Sequence, residues 1–254
     1  MHSVVADVTW TPMPGLLPAL RAVVSATQLL SLCRAVREGG GRLVSLWGED
    51  LHDGLRLCVV LEFDNQLRVL EHAPEAASYP TLHEIFPGAA RLQRAAQDLL
   101  GLHAVGGDDR PWLRHAAWPR DAFPLRRGPV EPAVASAPSD AYPFVRVQGE
   151  GVHEIAVGPV HAGTIEPGHF RFSVVGEKVL RLEERFGYAH KGIEKRFEGM
   201  ALEEGVRLAA RVSGDSAAAF AWAYSMAAEA LTKTVVPPRA QAMRGLLLER
   251  ERIA

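Results

Sequence analysis

Residues 79–126, YPTLHEIFPGAARLQRAAQDLLGLHAVGGDDRPWLRHAAWPRDAFPLR, are the most informative stretch of this chain. Apolar residues recur at helical spacing in its first half, and Gly101 follows the last of them as a stop signal. These apolar positions are Leu92, Ala95, Ala96, Leu99 and Leu100. Pro87 and Gly88 interrupt the chain just before the pattern begins. We therefore predict one amphipathic helix between Gly88 and Gly101.

The residues before this stretch predict a helix and an antiparallel sheet. Ser25 and Gln28 have the spacing of a capping box, and three glycines at 39–41 end the helical pattern that follows. Alternating apolar segments then predict three strands, the last two joined by a tight turn. The strand segments are residues 42–47, 55–63 and 66–71. Together these elements predict an α+β domain at residues 1–125.

Composition narrows the classes of protein that the chain can belong to. Its 254 residues suit one or two domains, and 28 basic against 30 acidic residues give a net charge of −2. This balance gives no electrostatic reason to bind nucleic acid. The two cysteines, Cys33 and Cys58, are not at metal-ligand spacing, so a disulfide framework is not expected and a cytoplasmic setting fits. Neither a signal peptide nor an apolar run long enough to span a membrane is present.

The second half begins after a change of composition. Residues 126–151 are rich in Pro and Ala and poor in large apolar side chains, which predicts a linker. Residues 152–254 then predict a small antiparallel sheet that leads into a helical bundle, so the fold class of the whole chain is α+β. The predicted strands are 152–157, 169–175 and 179–182, and the predicted helices are 192–211, 216–234 and 237 onward. Because the segment 217–231 is apolar nearly all round, we expect it at the centre of the bundle.

The stretch 79–126 resembles the 30 kDa hydrophilic subunit of respiratory NADH:quinone oxidoreductase (complex I). That family has an Ile-Phe-Pro segment, an Arg-x-x-x-Asp helix, a Leu-Gly-Leu turn and a closing Pro-Leu-Arg. The matching residues here are Arg94, Asp98, Gly101, Asp109, Arg110, Pro119, Pro124, Leu125 and Arg126. The family's aromatic residue and Glu before the Arg are replaced by Leu92 and Gln93. The resemblance implies that Arg94 and Asp98 lie at an interface with other subunits.

Residues 158–195, GPVHAGTIEPGHFRFSVVGEKVLRLEERFGYAHKGIEK, resemble the start of another family, the large subunit of membrane-bound group 4 nickel–iron hydrogenases. That large subunit is similar to the 49 kDa subunit of complex I, and its fusion to a domain like the 30 kDa subunit is typical of the formate hydrogenlyase type. In relatives the end of this stretch lies near the small iron–sulfur subunit. The resemblance therefore implies a second set of interface residues, Tyr188, His190, Lys191 and Glu194.

The nickel–iron ligands of the hydrogenase family are missing from the corresponding loop. Active members carry Cys-Gly-x-Cys there, whereas this chain has Ser213, Gly214, Asp215 and Ser216. Serine hydroxyls do not replace thiolates at a soft metal centre, and the chain stops before the family's second cysteine pair. We therefore expect no metal. The resemblance implies a remnant pocket formed by Ser213, Asp215, Ser216 and His161, with helix N-capping by Ser213 or Asp215 as the alternative.

The same resemblance bears on quinone binding and proton transfer. The position of the quinone-binding Tyr falls at Gly214, and that of the quinone-binding His falls near Ile165 or Glu166, so the residues do not favour quinone at the usual site. Glu166 matches a glutamate suspected of passing protons in hydrogenases. A carboxylate in a buried polar turn can have a raised pKa and exchange protons near neutrality. The alternative for Glu166 is a solvated loop residue.

Together these patterns predict a subunit of a membrane-associated NADH:quinone oxidoreductase or group 4 hydrogenase-like complex. The chain would bind no cofactor and would dock a small iron–sulfur subunit of the kind that complex I contains, together with other hydrophilic and membrane subunits. We expect it on the cytoplasmic face of the inner membrane, and we expect no catalysis by the isolated chain. The alternative is a non-redox scaffold that couples conformational change in an ion-translocating complex.

Overall fold

The computed structural model describes residues 8–13, 19–115, 117–128, 142–163 and 165–254. The chain divides into two compact units, each built from separate stretches of sequence. The first comprises Met1–Ser45, Cys58–Ala73 and Lys191–Ala254, and the second comprises Leu46–Leu57 and Pro74–His190. The predicted domains 1–125 and 152–254 stay a prediction, since residues 129–141 of the predicted linker lie outside the described part of the chain.

Five of the described strands form the first sheet, in the order β1-β2-β5-β4-β3. These strands are β1 (Thr11–Met13), β2 (Ala19–Val23), β3 (Arg42–Leu51), β4 (Gly54–Phe63) and β5 (Gln66–His72). The predicted order of β3, β4 and β5 is confirmed, but the sheet is mixed rather than purely antiparallel. Strand β2 pairs with β5 in parallel, with Arg21 opposite Val69. The sequence analysis missed β1 and β2 because they are short and interrupted by prolines.

Helix α1 (Ala26–Glu38) confirms the predicted capping box. The Gln28 N–H donates to Ser25 Oγ at 3.2 Å, and the Ser25 N–H donates to Gln28 Oε1 at 2.9 Å. These two bonds satisfy backbone groups that a helix start otherwise leaves open. Of the predicted apolar face, Leu30 is only half-buried, whereas Leu29, Leu32, Cys33 and Val36 are buried, and Ala35 is buried beside them.

Helix α2 (Ala89–Leu100) ends at Gly101, as predicted, in the left-handed conformation. The φ angle of Gly101 is 71°, and an added Cβ would lie 3.0 Å from the Phe123 ring, so both the backbone and the packing require glycine. Strands β6 (Ser78–Pro80) and β7 (His103–Val105) flank the helix and pair in parallel. The buried face of α2 is not purely apolar, because it includes Gln93, Arg94 and Asp98.

A second, antiparallel sheet confirms the strands predicted after the linker. It has the order β10-β9-β8 and comprises β8 (His153–Val157), β9 (His169–Val175) and β10 (Lys178–Arg185). Strand β10 extends further than predicted, to Arg185, which pairs with His169 of β9. This extension brings Glu183 and Arg185 into the sheet, and both side chains are buried.

The described helices after the second sheet are α3 (Ile193–Phe197), α4 (Leu202–Ala209), α5 (Ala217–Thr232) and α6 (Pro238–Ile253). The single helix predicted at 192–211 is therefore two helices. Gly199 lies between them with a φ of 73°, a conformation that ends a helix. The central position expected for α5 is wrong for this chain, because none of its residues is buried. No described helix has the length and apolar character that a membrane span needs.

Candidate functional site

Asp98 fixes the segment after strand β7 and lies at the centre of a buried polar network. One carboxylate oxygen, Oδ2, accepts hydrogen bonds from the N–H groups of Trp112 (2.7 Å), Leu113 (2.7 Å) and Arg114 (3.2 Å). Asp98 is 4% exposed, so these bonds replace the water that an ionised carboxylate would otherwise bind. A helix side chain thereby fixes an irregular segment that has no backbone ladder of its own.

Arg94, one helical turn before Asp98, binds the carbonyl side of the same segment. Its Nε donates to the Arg110 carbonyl at 2.7 Å, and its Nη2 donates to the Pro111 carbonyl at 2.7 Å and to the Tyr142 hydroxyl at 2.5 Å. Its guanidinium also lies 5.0 Å from the centre of the Trp112 ring. The Arg-x-x-x-Asp pattern thus places an acceptor and a set of donors on one helix face.

Arg185 approaches this segment from strand β10. Its Nη1 donates to the Pro111 carbonyl at 3.0 Å, and its Nη2 donates to the Arg114 carbonyl. The guanidinium lies 4.5 Å from the centre of the Tyr142 ring, and the residue is 1% exposed. Residues 110–114 are therefore held between helix α2 and strand β10. We call Arg94, Asp98, Arg114, Arg185 and the segment 110–114 the arginine network.

Arg114 closes the network on the side of the Pro-Leu-Arg segment. It donates to the carbonyls of Pro119 at 2.7 Å, Ala122 at 3.1 Å and Asp98 at 3.2 Å, and also to that of Arg120. Burial lowers the pKa of Arg114 below the usual value for arginine. These bonds give a role to a residue that the sequence analysis did not single out.

The closing Pro-Leu-Arg residues complete the end of helix α2. Arg126 Nε donates to the Leu100 carbonyl at 2.6 Å, and the Leu125 N–H donates to the Leu99 carbonyl at 3.1 Å. The last carbonyls of a helix lack partners within the helix, and a cation is favourable beside them. The family pattern between residues 94 and 126 is thus explained by the way it anchors one helix.

A second group of charges lies beside the network. Arg110 donates to Asp108 at 2.7 Å and to Glu183 at 2.5 Å, while Arg181 donates to the same Glu183 oxygen at 2.9 Å. Burial alone would raise the pKa of Glu183, but hydrogen bonds from both arginines and from the Val145 N–H hold it below its usual value. Burial would likewise raise the pKa of Asp108, but hydrogen bonds from Arg110 hold that pKa below its usual value as well.

The interface residues predicted in the first half, Arg94 and Asp98, are buried, and the bonds described above all lie within the chain. The second set lies mostly at the surface. Tyr188 and His190 are exposed, and their rings lie 4.6 Å from His115 and 6.3 Å from Trp118, respectively. Lys191 donates to the Val212 carbonyl at 3.1 Å, and Glu194 is exposed. The interface role of all six residues stays a prediction.

The remnant-pocket residues belong to different compact units, His161 to the second and Ser213, Asp215 and Ser216 to the first. His161 Nδ1 accepts from the Gly163 N–H at 3.0 Å, and its buried Nε2 has no hydrogen-bond partner among the described residues. Glu166 is exposed, in agreement with the solvated alternative, so its proton-relay role keeps only the support of the resemblance.

The loop with Ser213, Asp215 and Ser216 does not use the predicted cap. No side chain of Ser213 or Ser216 caps the short 3₁₀ helix Gly214–Ser216 or helix α5. Glu251 of α6 does so instead, because its carboxylate accepts from the N–H groups of Ala218 at 2.5 Å and Ala219 at 3.0 Å. A carboxylate at a helix N-terminus is favoured by the helix dipole. The alternative that Ser213 or Asp215 caps this helix was therefore wrong, because Glu251 caps it.

A model of one protein family matches the region that contains most of the arginine network. The family is described as the respiratory-chain NADH dehydrogenase 30 kDa subunit, and the match covers residues 22–130. Residues 22–130 are therefore similar to the complex I 30 kDa family, and we call them the 30 kDa domain. The 30 kDa domain thus contains Arg94, Asp98 and Arg114, whereas Arg185 lies outside it.

Curated relatives extend the similarity beyond the 30 kDa domain. The chain is 34% identical over 184 residues to hydrogenase-4 component G of Escherichia coli, covering 70% of this chain and 33% of that protein. It is 34% identical to formate hydrogenlyase subunit 5 of the same organism, covering 69% of this chain and 32% of that protein. It is 28% identical to the C/D subunit of NADH-quinone oxidoreductase from Phocaeicola vulgatus, covering 70% of this chain and 38% of that protein. Both predicted resemblances are confirmed, and the order of the two parts is that of such a C/D fusion.

The chain spans about a third of the length of the first two of these relatives. Among solved structures, a trypsin-resistant fragment (1–134) of Nqo5 matches with 17% identity and a TM-score of 0.36, covering 42% of this chain and 94% of that chain. The α+β class predicted for the chain follows from the described sheets and helices themselves.

The family pattern in the sequence pointed to Arg94 and Asp98 but not to Arg185, Glu183 or Tyr142. Strand β10 offered one signal, since its Arg-Leu-Glu-Glu-Arg run has charges at positions 181, 183 and 185, which face the same side of a strand. Alternation alone would place that side toward solvent. Only the contacts of the arginine network show that it is buried.

Proposed function

We propose that this chain is a subunit of a membrane-associated redox complex of the complex I and group 4 hydrogenase kind, in which it docks the iron–sulfur small subunit. The observation that carries the proposal is the similarity to complex I-like and hydrogenase subunits over both parts of the chain. This similarity extends past residue 130, where the match to the 30 kDa family ends. The domain at 1–125 would be a docking module and residues 152–254 a large-subunit segment, joined by the linker 126–151.

The exposed helices α5 and α6 support a docking role. Within their own unit, large apolar side chains remain accessible on both helices, including Phe220 at 40% and Leu231 at 76% exposure. The set is completed by Met243, Leu246, Leu247 and Ile253. Accessible apolar side chains in such number are typical of a protein–protein interface. We assign them to the iron–sulfur small subunit because Lys191 and Glu194, in the same compact unit, are family residues implied to lie near that partner.

The loop at 213–216 does not fit a nickel–iron centre. Its donors are two hydroxyls and one carboxylate, which are hard ligands, whereas a nickel–iron site needs thiolates. Cys33 and Cys58 are both buried, in α1 and β4 respectively. Among the described residues no group of three His, Cys, Asp or Glu side chains could hold a metal ion. We therefore propose that electron transfer belongs to the cluster of the partner.

The residues that the resemblance implies stay part of the proposal within each compact unit: His161 as a binder of a polar group with Glu166 as a proton relay in one, and Ser213, Asp215 and Ser216 as binders of a polar group in the other. The buried Nε2 of His161 supports this, since an imidazole nitrogen without a partner is able to bind a polar group. Quinone is the less favoured occupant, because Gly214 stands at the position of the quinone-binding Tyr and Ile165 or Glu166 stands near that of the His, so neither family residue is present. The chain would act on the cytoplasmic face of the inner membrane as a peripheral subunit.

Co-purification from cells that express the whole complex tests this proposal. We expect an affinity-tagged chain to retain an iron–sulfur subunit whose cluster is reduced by dithionite, as seen by electron paramagnetic resonance, and to contain no stoichiometric nickel. Leu246→Asp combined with Leu247→Asp should release that subunit, whereas the control Arg42→Gln, at an exposed side chain of the sheet, should not. Retention of other subunits without any cluster protein would favour the scaffold alternative.

A further inference from the structure

A small cavity lies within the second compact unit, beside the arginine network. Its volume is about 100 Å³, and its walls come from helix α2, the segment 110–112, Tyr142 and strand β10. The lining is unusually charged for a cavity of this size, with the four arginines Arg91, Arg94, Arg110 and Arg181 and the two acids Glu183 and Glu184. The remaining walls are Trp112, Tyr142 and Leu182.

The charges of this cavity do not cancel. Glu183 binds Arg110 and Arg181, and Glu184 binds Arg91 at 2.6 Å. Asp108 lies behind the lining, 2.7 Å from Arg110 and 3.7 Å from Arg94. Four guanidinium groups therefore face three carboxylates, which leaves one positive charge in excess. A partly open pocket with excess positive charge attracts an anion.

The arginines differ in how many of their donors are already used. Arg94 donates three hydrogen bonds to carbonyl and hydroxyl oxygens of the network, so it lines the cavity without offering these donors to a ligand. Arg181 is different, because among the described residues only its Nη2 is engaged, by Glu183, and its side chain is 39% exposed. A guanidinium with unused donors beside a cavity can bind an oxyanion there. Arg91 is paired with Glu184 and lies 5.5 Å from the Trp112 ring, which orients its guanidinium.

We propose that this cavity binds one small oxyanion group, a phosphate or a carboxylate, between Arg91 and Arg181. The planar guanidinium matches both kinds of oxyanion, and the volume admits one such group rather than a nucleotide or a sugar. Two sources share this chemistry: a free anion and the acidic side chain of a partner subunit. The site is separate from the loop at 213–216 and does not depend on the proposed function.

Calorimetric titration of the full chain with inorganic phosphate and with acetate, at constant ionic strength against chloride, tests this proposal. We expect saturable binding of one anion per chain. Arg181→Gln should raise the dissociation constant about tenfold, since a charge-assisted hydrogen bond is lost. Arg181→Lys, which keeps the charge but not the planar set of guanidinium donors, should fall between wild type and Arg181→Gln. Arg252→Gln, at an exposed helix position, should bind as wild type does.

The outcomes separate the two sources and can overturn the proposal. Binding of phosphate but not acetate indicates a free phosphate-bearing ligand, and equal binding of both indicates that a partner carboxylate suffices. Absence of saturable binding of either anion at millimolar concentration would overturn the proposal. The same conclusion follows if Arg181→Gln binds as wild type does while its melting temperature is unchanged.

Discussion

Arg185 and Pro111 are 74 residues apart in the chain, yet the Arg185 Nη1 donates to the Pro111 carbonyl at 3.0 Å. Pro111 lies in the 30 kDa domain, whereas Arg185 lies in the part that resembles the hydrogenase large subunit. Arg185 is buried, and the same carbonyl also accepts from Arg94. The Pro111 carbonyl oxygen thus accepts one hydrogen bond from each of the two parts of the sequence.

Replacement of Arg185 by Ala is expected to destabilise the protein strongly. The change leaves the carbonyls of Pro111 and Arg114 with fewer donors and opens a cavity beside Tyr142, which together should lower the free energy of unfolding by about 3 kcal/mol. Chemical denaturation followed by fluorescence measures this loss. Lys178→Ala, at an exposed position of the same strand, is the matched control and should stay within about 0.5 kcal/mol of wild type. Equal stabilities of the two variants would contradict the role given to Arg185.

Replacement of Asp98 distinguishes its charge from its shape. Asp98→Ala removes the acceptor of three buried N–H groups and should cost about 3 kcal/mol, whereas Asp98→Asn keeps one oxygen and should cost about 1 kcal/mol. Asp109→Asn, whose side chain is mostly exposed, should be neutral. Urea unfolding of the three variants ranks their free energies of unfolding. If Asp98→Asn were as unstable as Asp98→Ala, the remaining side-chain oxygen at residue 98 would not be acting as an acceptor for the three N–H groups.

Stability should fall in mild acid because of Glu183 and Asp108. Both carboxyl groups have pKa values below their usual 4.5 and 3.8 in the folded protein, so the unfolded chain binds more protons as the pH falls. Their contribution is fully present above the unfolded pKa values and is lost as the pH falls through the folded ones. Melting temperatures measured between neutral pH and about pH 3 should show this loss. Glu183→Gln should flatten the curve below about pH 4.5, and an unchanged curve in that variant would refute the assignment.

Cleavage of the linker should not separate the two parts of the chain. We expect that a protease site inserted between residues 129 and 141, once cut, leaves fragments that elute together in gel filtration, because the arginine network lies outside the cut. The cut Arg185→Ala variant should dissociate more readily, with a dissociation constant about 150-fold higher if about 3 kcal/mol is lost. Fragments that separate in wild type would show that the network is too weak to hold them.

Local patterns predicted local structure well. The capping box at Ser25 and the glycine stop at Gly101 depend only on neighbouring residues, and the structure has both. The strands after the linker were found by alternation for the same reason. The break at Gly199 was missed because one glycine inside a periodic segment is a weak signal compared with the apolar spacing around it.

The candidate site was harder to predict because it depends on long-range contacts. The family pattern singled out Arg94 and Asp98, but their partners lie 14 to 48 residues away in segments without periodicity. Alternation would place Arg185 in solvent, since an arginine is seldom buried without partners and no sequence pattern identifies backbone carbonyls as those partners. The mixed sheet was missed because strand β2 joins β5 across the intervening helix and hairpin.

The uncovered apolar side chains of helices α5 and α6 have a consequence for the life of the protein in the cell. An orphan copy would present Phe220 and Leu231 to chaperones and proteases, because these systems recognise accessible apolar side chains. Its abundance would then follow the supply of whatever covers those side chains rather than its own rate of synthesis. The protein and the partner that covers these side chains would thus have to be produced in matching amounts, both to assemble and to escape degradation.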